Sequence, residues 1–141
     1  MIVLDTNVLS ELMRSHPHPA VFAWTAGHPR SSLYTTSINV AEILYGIAAL
    51  PQGRRRSTLA DLAGAMFAED FAGRILPFDD EAAASYADIV VSRRQQGRPI
   101  DALDAQIAAV AAVARAEIAT RDIGGFSGCG LSLIDPWATQ I

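Results

Sequence analysis

Short runs of apolar residues alternate with longer helical patterns along this chain. The run 2–4 is continuous and aliphatic, which is typical of a strand buried on both faces of a parallel sheet. Further strands are predicted at 32–37, 74–79, 117–122 and 131–137. Because helical segments separate these strands, parallel pairing through right-handed crossovers is favoured. We therefore expect an α/β fold, a three-layer α/β/α sandwich around a central, mainly parallel sheet.

Hydrophobic spacing and terminal signals predict four helices, at 38–50, 54–73, 79–97 and 101–116. Ser37 is expected to cap the first of them, and Gly73 to end the second. The second helix should bury a stripe made of Leu59, Leu62, Ala63, Met66 and Phe67. The last one carries no charge between Asp104 and Arg115, so it should be packed on most sides. The glycine-rich segment 123–130 is expected to be a loop.

Length and composition favour one intracellular domain. At 141 residues with 50% apolar composition, the chain 1–141 suits a single globular domain. Its single cysteine, Cys129, excludes an internal disulfide framework and suits a reducing cytosol. Asp5 interrupts the apolar start too early for a secretory signal, and no uncharged stretch reaches the length of a membrane helix. We expect a cytoplasmic protein with no membrane partner.

Four acidic residues need more than a structural explanation. Asp5 and Asp122 each follow a predicted strand, and in open α/β sheets ligands bind at the carboxyl edge where such strands end. Glu42 has no basic residue three or four positions away, so a salt bridge within its helix is excluded. Asp104 lies at the head of the most apolar helix. Each acid also has an ordinary alternative as a helix cap, a first-turn acid or a turn residue.

Together, such acids suit a metal site. Converging carboxylates repel one another, and a bound cation removes that penalty. His16, His18 and His28 lie in a proline-rich stretch without metal-ligand spacing, and we expect them to be loop and helix-end residues. Hard oxygen ligands alone favour Mg²⁺ or Mn²⁺ over zinc. Carboxylates that hold such ions at a sheet edge are suited to metal-assisted hydrolysis of phosphodiesters.

Four segments together resemble the PIN-domain family, and closely its VapC and FitB branch of bacterial toxin–antitoxin ribonucleases. They are IVLDTNVLSEL, the glutamate of INVAEILYGI, DAQIAAVAAVA and ATRDIGGFSGCGLSLIDPW. The resemblance spans the chain from Ile2 to Trp137 and implies that 1–141 is a single PIN domain. By motif position, the resemblance implies that the catalytic, metal-binding acids are Asp5, Glu42, Asp104 and Asp122. Of these, Asp5 and Asp104 are the expected metal ligands. Thr6 and Asn7 match the polar pair after the first aspartate.

Two positions depart from the family's pattern. Asp101 adds an acid three residues before Asp104 and could be mistaken for the ligand, but the register of DAQIAA assigns that role to Asp104. Gly125 stands where relatives often have an aspartate before the phenylalanine, so we assign no site residue there.

The resemblance implies a Mg²⁺-dependent ribonuclease, with Mn²⁺ as an alternative ion, that cuts RNA and is held inactive by a cognate, VapB-like antitoxin. It also implies a homodimer and a larger complex with antitoxin and operator DNA. Although the net charge is −4, phosphate binding needs local positive charge. The arginines that we expect to contact RNA are Arg14, Arg54, Arg55, Arg56, Arg93, Arg94 and Arg98. A solvated helix face is the alternative for each of them.

Two other functions are compatible with the sequence. The chain could be a catalytically weak toxin-fold subunit that acts mainly in an antitoxin–DNA repressor complex, although the intact acid set argues against this. It could also be a phosphotransfer module with Asp5 as the acceptor. That second alternative lacks a phosphate-stabilising lysine, because the chain contains no lysine.

Overall fold

The computed structural model describes residues 1–138 and contains a five-stranded sheet. Its strands are β1 (Ile2–Leu4), β2 (Leu33–Thr36), β3 (Ile75–Leu76), β4 (Glu117–Ala119) and β5 (Leu133–Ile134). They are ordered β3-β2-β1-β4-β5, and every neighbouring pair is parallel. In the central strand, Val3 is paired with Tyr34 on one side and with Ile118 on the other. The predicted parallel sheet is confirmed.

At least one helix lies between each pair of consecutive strands, in the manner of an α/β fold. They are α1 (Thr6–Leu12), α2 (Pro19–Ala26), α3 (Ser37–Ala48), α4 (Arg54–Ala65), α5 (Asp80–Gln95), α6 (Ala102–Ala114) and α7 (Ile123–Phe126). A 3₁₀ turn at Arg30–Ser32 precedes β2, and a π-helical turn at Met66–Asp70 extends α4. Among the helices of residues 1–138, none combines the length and the apolar character needed to cross a bilayer.

The sheet separates two hydrophobic clusters. Ile2 and Leu4 belong to the first cluster and Val3 to the second, because successive side chains of a strand point to opposite faces. Helices α1 to α4 contribute to the first cluster, whereas α5, α6 and α7 contribute to the second. The alanine-rich α6 is deeply buried, as its sequence predicts. The structure is therefore the expected three-layer α/β/α sandwich.

Element ends differ from the predictions. Thr36, and not Ser37, caps α3, since its Oγ1 accepts a 3.2 Å hydrogen bond from the backbone N of Asn39. The helix predicted at 54–73 changes to the π-helical turn after Ala65, and the buried stripe is incomplete because Leu62 is 46% exposed.

Three short helices, α1, α2 and α7, were not among the four predicted. The proline-rich stretch contains α2, whose first residue, Pro19, needs no hydrogen-bond donor there. His18 caps this helix, because its Nδ1 accepts a 3.1 Å hydrogen bond from the backbone N of Ala20. The segment 123–130, predicted as a loop, begins with α7. Helices α1, α2 and α7 are too short to show a clear hydrophobic period.

Candidate active site

The predicted acids meet at the carboxyl edge of the sheet. Asp5 directly follows β1 and Asp122 lies shortly after β4, while Glu42 projects from α3 and Asp104 from the first turn of α6. All of them line one cleft of about 700 Å³. Thr6 and Asn7 line the same cleft, so the structure brings the complete predicted set together.

Asp5 is the most enclosed of these acids and is only 5% exposed. Its Oδ1 accepts hydrogen bonds from the backbone N of Thr6 at 2.8 Å and from Asn39 Nδ2 at 3.1 Å. Its Oδ2 accepts from Thr120 Oγ1 at 2.8 Å and from Asn7 Nδ2 at 3.4 Å. Burial raises the pKa of Asp5 above its usual range, although these donors counteract the effect. Asp5 also caps α1, so its role as a helix cap is compatible with its place in the cleft.

Two fully buried polar residues orient Asp5, and the sequence analysis did not identify either of them. Asn39 donates to Asp5, and its Oδ1 accepts a 2.6 Å hydrogen bond from Thr36 Oγ1. Thr120 donates to Asp5, and its Oγ1 accepts a 3.0 Å hydrogen bond from the backbone N of Asp122. A buried polar group needs such partners. The available signal for Asn39 was its position between Ile38 and Val40 in an otherwise apolar segment.

Thr6 connects the first turn of α1 to Glu42. Its hydroxyl donates a 2.8 Å hydrogen bond to Glu42 Oε1 and accepts one of 3.0 Å from Asn39 Nδ2. Burial raises the pKa of Glu42, and the negative charge of Asp5 adds to that effect despite the hydrogen bond from Thr6. Thr6 therefore holds the Glu42 carboxylate at the cleft, although no arginine within residues 1–138 forms an ion pair with that carboxylate.

Asp101 and Asp104 have different positions in the structure. Asp101 is exposed and caps α6, because its Oδ2 accepts from the backbone N of Leu103 at 3.1 Å and of Asp104 at 3.4 Å. Asp104 lines the cleft, whereas Asp101 does not. Burial, followed by repulsion from Asp5 and the other nearby acids, raises the pKa of Asp104 to about 7. The geometry thus agrees with the motif register that assigns the ligand role to Asp104.

Asp122 has a structural task as well as a place in the cleft. Its Oδ1 accepts a 3.0 Å hydrogen bond from the backbone N of Gly125 and so caps α7. Its carboxylate repels those of Asp5 and Asp104, which contributes to their raised pKa values.

Three arginines line the cleft beside the acids. Arg14 is paired with Glu11 at 3.0 Å, and Arg55 projects from α4. Arg121 was not among the predicted RNA contacts, but it lines the cleft and lies over the indole of Trp137. Its position next to Asp122 at the end of a strand was the signal that could have identified it.

The expectation that Arg93 contacts RNA is wrong. Arg93 is only 4% exposed and donates to the backbone oxygens of Arg98, Gly125 and Ser127 at 2.7 to 3.0 Å. It is therefore a structural cation, because its donors are used inside the protein. The neighbouring Arg94 is exposed.

The chemistry of the donor set fits a hard divalent cation. Only carboxylate, hydroxyl and amide oxygens are offered, and burial and repulsion raise the pKa values of three of the acids. Within residues 1–138, no group of three or more acidic, histidine or cysteine side chains has the geometry of a preformed metal site. An ion here would need water among its ligands, which Mg²⁺ commonly keeps.

An apolar groove of about 1080 Å³ adjoins the cleft between α1, α3 and α4. Its apolar lining includes Ile43, Ile47, Leu50, Leu59 and Leu62. Thr6, Glu42 and Arg55 line both the groove and the cleft, so the two cavities are adjacent.

Comparisons with known proteins find the same family that the motifs resemble. The sequence profile of the PIN domain matches residues 2–127. The chain is 42% identical to a protein named VapC ribonuclease Y4jK from Sinorhizobium fredii, over 97% of this chain and 98% of that protein. It is 39% identical to a protein named Toxin FitB from Neisseria gonorrhoeae, over 97% and 99% respectively. The solved structure of FitAB bound to an IR36 DNA fragment contains a chain with a TM-score of 0.93 at 38% identity, and the match covers 100% of this chain and 99% of that one.

Proposed function

Because the chain belongs to the PIN-domain family, we propose that it is a toxin of the VapC and FitB type, a Mg²⁺-dependent endoribonuclease controlled by an antitoxin. One observation carries this proposal: Asp5, Glu42 and Asp104 line one cleft, and burial raises the pKa of each. We further propose that the whole chain, 1–141, forms one PIN domain.

Asp5 and Asp104 would hold the cation, with Glu42 and Asp122 completing the site. PIN nucleases generally use divalent metal ions, and Mn²⁺ is an alternative to Mg²⁺ here. When bound, such a cation neutralises the clustered carboxylates, stabilises charge on the phosphate and acidifies the attacking water.

The residues of the chain itself fix the geometry of that site. Asn39 and Thr120 orient the Asp5 carboxylate from two sides, since each donates to a different oxygen. Thr6 holds Glu42 by its hydroxyl group. Hydrolysis forms a bond from a water oxygen to phosphorus and breaks one P–O ester bond, with a proton passing to the leaving oxygen. Preorganised carboxylates would favour this reaction by holding the cation in place, so that the site need not rearrange as negative charge develops on the phosphate.

The apolar groove supports an antitoxin partner. Solved relatives are toxin–antitoxin complexes, including FitAB on DNA. Because the groove adjoins the acidic cleft at Thr6, Glu42 and Arg55, a partner that combines an apolar segment with a cationic side chain would match both cavities. We propose that the cognate antitoxin covers this groove, that the toxin is a homodimer, and that the complex binds operator DNA. Action mainly as a subunit of such a repressor complex is the second candidate function, favoured by the FitAB–DNA similarity.

The test uses the purified protein and a labelled single-stranded RNA. Cleavage is expected with Mg²⁺, should stop with EDTA, and should return when Mg²⁺ or Mn²⁺ is added in excess. Adding the small protein encoded beside this gene should suppress cleavage. If the protein binds that partner and DNA but never cuts RNA in any divalent metal, the repressor-subunit candidate replaces the ribonuclease proposal.

A further inference from the structure

Arg121 lies at the rim of the acidic cleft without an acidic partner. Within residues 1–138, the ion pairs are Arg14 with Glu11 and Arg30 with Asp70, so the Arg121 guanidinium is in neither. Its central carbon lies 5.0 Å from the centre of the Trp137 ring. The adjacent acid, Asp122, instead caps α7. The guanidinium of Arg121 therefore lies over an aromatic ring in the acidic cleft and is not paired with a carboxylate within residues 1–138.

The backbone around Arg121 is tied to the centre of the site. The N–H of Arg121 donates a 3.2 Å hydrogen bond to Asn7 Oδ1, and Asn7 Nδ2 donates in turn to Asp5 Oδ2. Trp137 packs against the first hydrophobic cluster, and its backbone N–H donates a 2.9 Å hydrogen bond to Asp135 Oδ1. Since both ends of the cation–π contact are anchored, the guanidinium is presented at a defined position.

We propose that Arg121, held by Trp137, binds a phosphate of the RNA strand that occupies the cleft. This inference rests on the proposed ribonuclease function. An RNA strand that approaches several carboxylates needs nearby positive charge, and a guanidinium pairs with phosphate oxygens through two parallel N–H donors. Arg14 is less suited to this task because Glu11 already neutralises it. Trp137 is a positioning residue that acts through Arg121.

The test measures binding of a short fluorescein-labelled single-stranded RNA by anisotropy over a range of salt concentrations. All proteins carry Asp104→Asn, to suppress cleavage, and the RNA is checked for integrity after each titration. Arg121→Gln should weaken binding about tenfold, because a charged hydrogen-bonding partner is lost. It should also reduce the slope of log affinity against log salt by about 0.7, the value for one phosphate contact on a single strand.

Three further variants separate a phosphate contact from a purely structural stack. Arg121→Lys keeps the charge without the planar fork, so it should keep the salt slope while its affinity falls. Arg115→Gln removes an exposed arginine that does not line the cleft and should leave both quantities unchanged. Trp137→Leu should weaken binding in the Arg121 protein but have no further effect in the Arg121→Gln protein.

If the Arg121→Gln protein has the same salt slope and affinity as Arg115→Gln, this inference is overturned while the proposed ribonuclease function stands. If the protein with Arg121 intact binds no RNA at any salt concentration, and the wild type also fails to cleave RNA, the Arg121 inference and the proposed ribonuclease function are both overturned.

Discussion

Gly125 lies directly against the carboxylate of Asp122. Its backbone N–H donates a 3.0 Å hydrogen bond to Oδ1, and a Cβ atom at position 125 would stand 2.3 Å from Oδ2. No real Cβ tolerates such a contact, so a side chain at 125 must displace the carboxylate. Gly124, its neighbour in α7, has no atom within 4 Å of the corresponding position.

Replacing Gly125 by alanine should therefore impair catalysis by moving Asp122. We expect RNA cleavage to fall about 10- to 100-fold, because small displacements of catalytic groups have effects of that size. Gly124→Ala is the matched control and should cleave at the wild-type rate. Rates for both variants on the same RNA provide the measurement, and equal rates for Gly125→Ala and wild type would refute the positional role of Asp122.

Arg93 should be important for stability. It ties α5 to the α7 region through the backbone oxygens of Gly125 and Ser127. Arg93→Met leaves these acceptors without their charged donor, so we expect the free energy of unfolding to fall by about 2–4 kcal/mol. Arg94→Met should change it by less than about 0.5 kcal/mol, since Arg94 is exposed. Urea unfolding of the two variants tests this, and similar stabilities would show that the Arg93 contacts contribute little.

The architecture was predictable because it depends on patterns that are local in sequence. The aliphatic run at 2–4 and the long helices show their period directly, and parallel pairing follows from their alternation. The meeting of Asp5 and Asp122 follows from the same rule, since both come after parallel strands. Glu42 and Asp104 were recognised because no local partner explains their charge.

The rest depends on contacts between residues distant in sequence. Thr120 and Asn39 donate to Asp5 from 115 and 34 residues away. The apolar neighbours of Asn39 indicate that it is buried, but they do not identify Asp5 as its partner, and no local pattern marks Thr120. Arg93 resembles Arg94 in sequence, yet only the packing of α7 decides which of the two is buried.

The stability of the metal-free protein should fall as the pH rises. The pKa of Asp104 is raised in the folded state to about 7, from an ordinary value of 3.8. Between these values the folded protein keeps a proton that the unfolded chain has lost, so acidic pH favours folding and the advantage disappears as pH rises through about 7. Urea unfolding in EDTA at pH values from about 5 to 8 should show this decrease. Asp104→Asn should weaken it, and an identical pH dependence in that variant would exclude Asp104 as its source.

Mg²⁺ should stabilise the folded protein. Binding to the folded state alone contributes about 1.4 kcal/mol at ten times Kd, which corresponds to a rise in Tm of roughly 2–6 °C. Asp104→Asn should have a higher Tm than wild type in EDTA, because one repulsion is removed, and a smaller rise with Mg²⁺. Asp101→Asn, which keeps the helix cap, should respond to Mg²⁺ as wild type does. Thermal melts with and without Mg²⁺ decide this, and a full response by Asp104→Asn would contradict its ligand role.

We expect the acidic cleft, through Asp104, to perform metal-dependent cleavage of RNA. The most direct measurement is the initial rate of RNA cleavage in Mg²⁺ by wild type, Asp104→Asn and Asp101→Asn. We expect a loss of roughly 100-fold or more for Asp104→Asn, because the amide removes the charge that holds the ion, and a rate near wild type for Asp101→Asn. Full activity of Asp104→Asn together with loss of activity in Asp101→Asn would contradict this expectation.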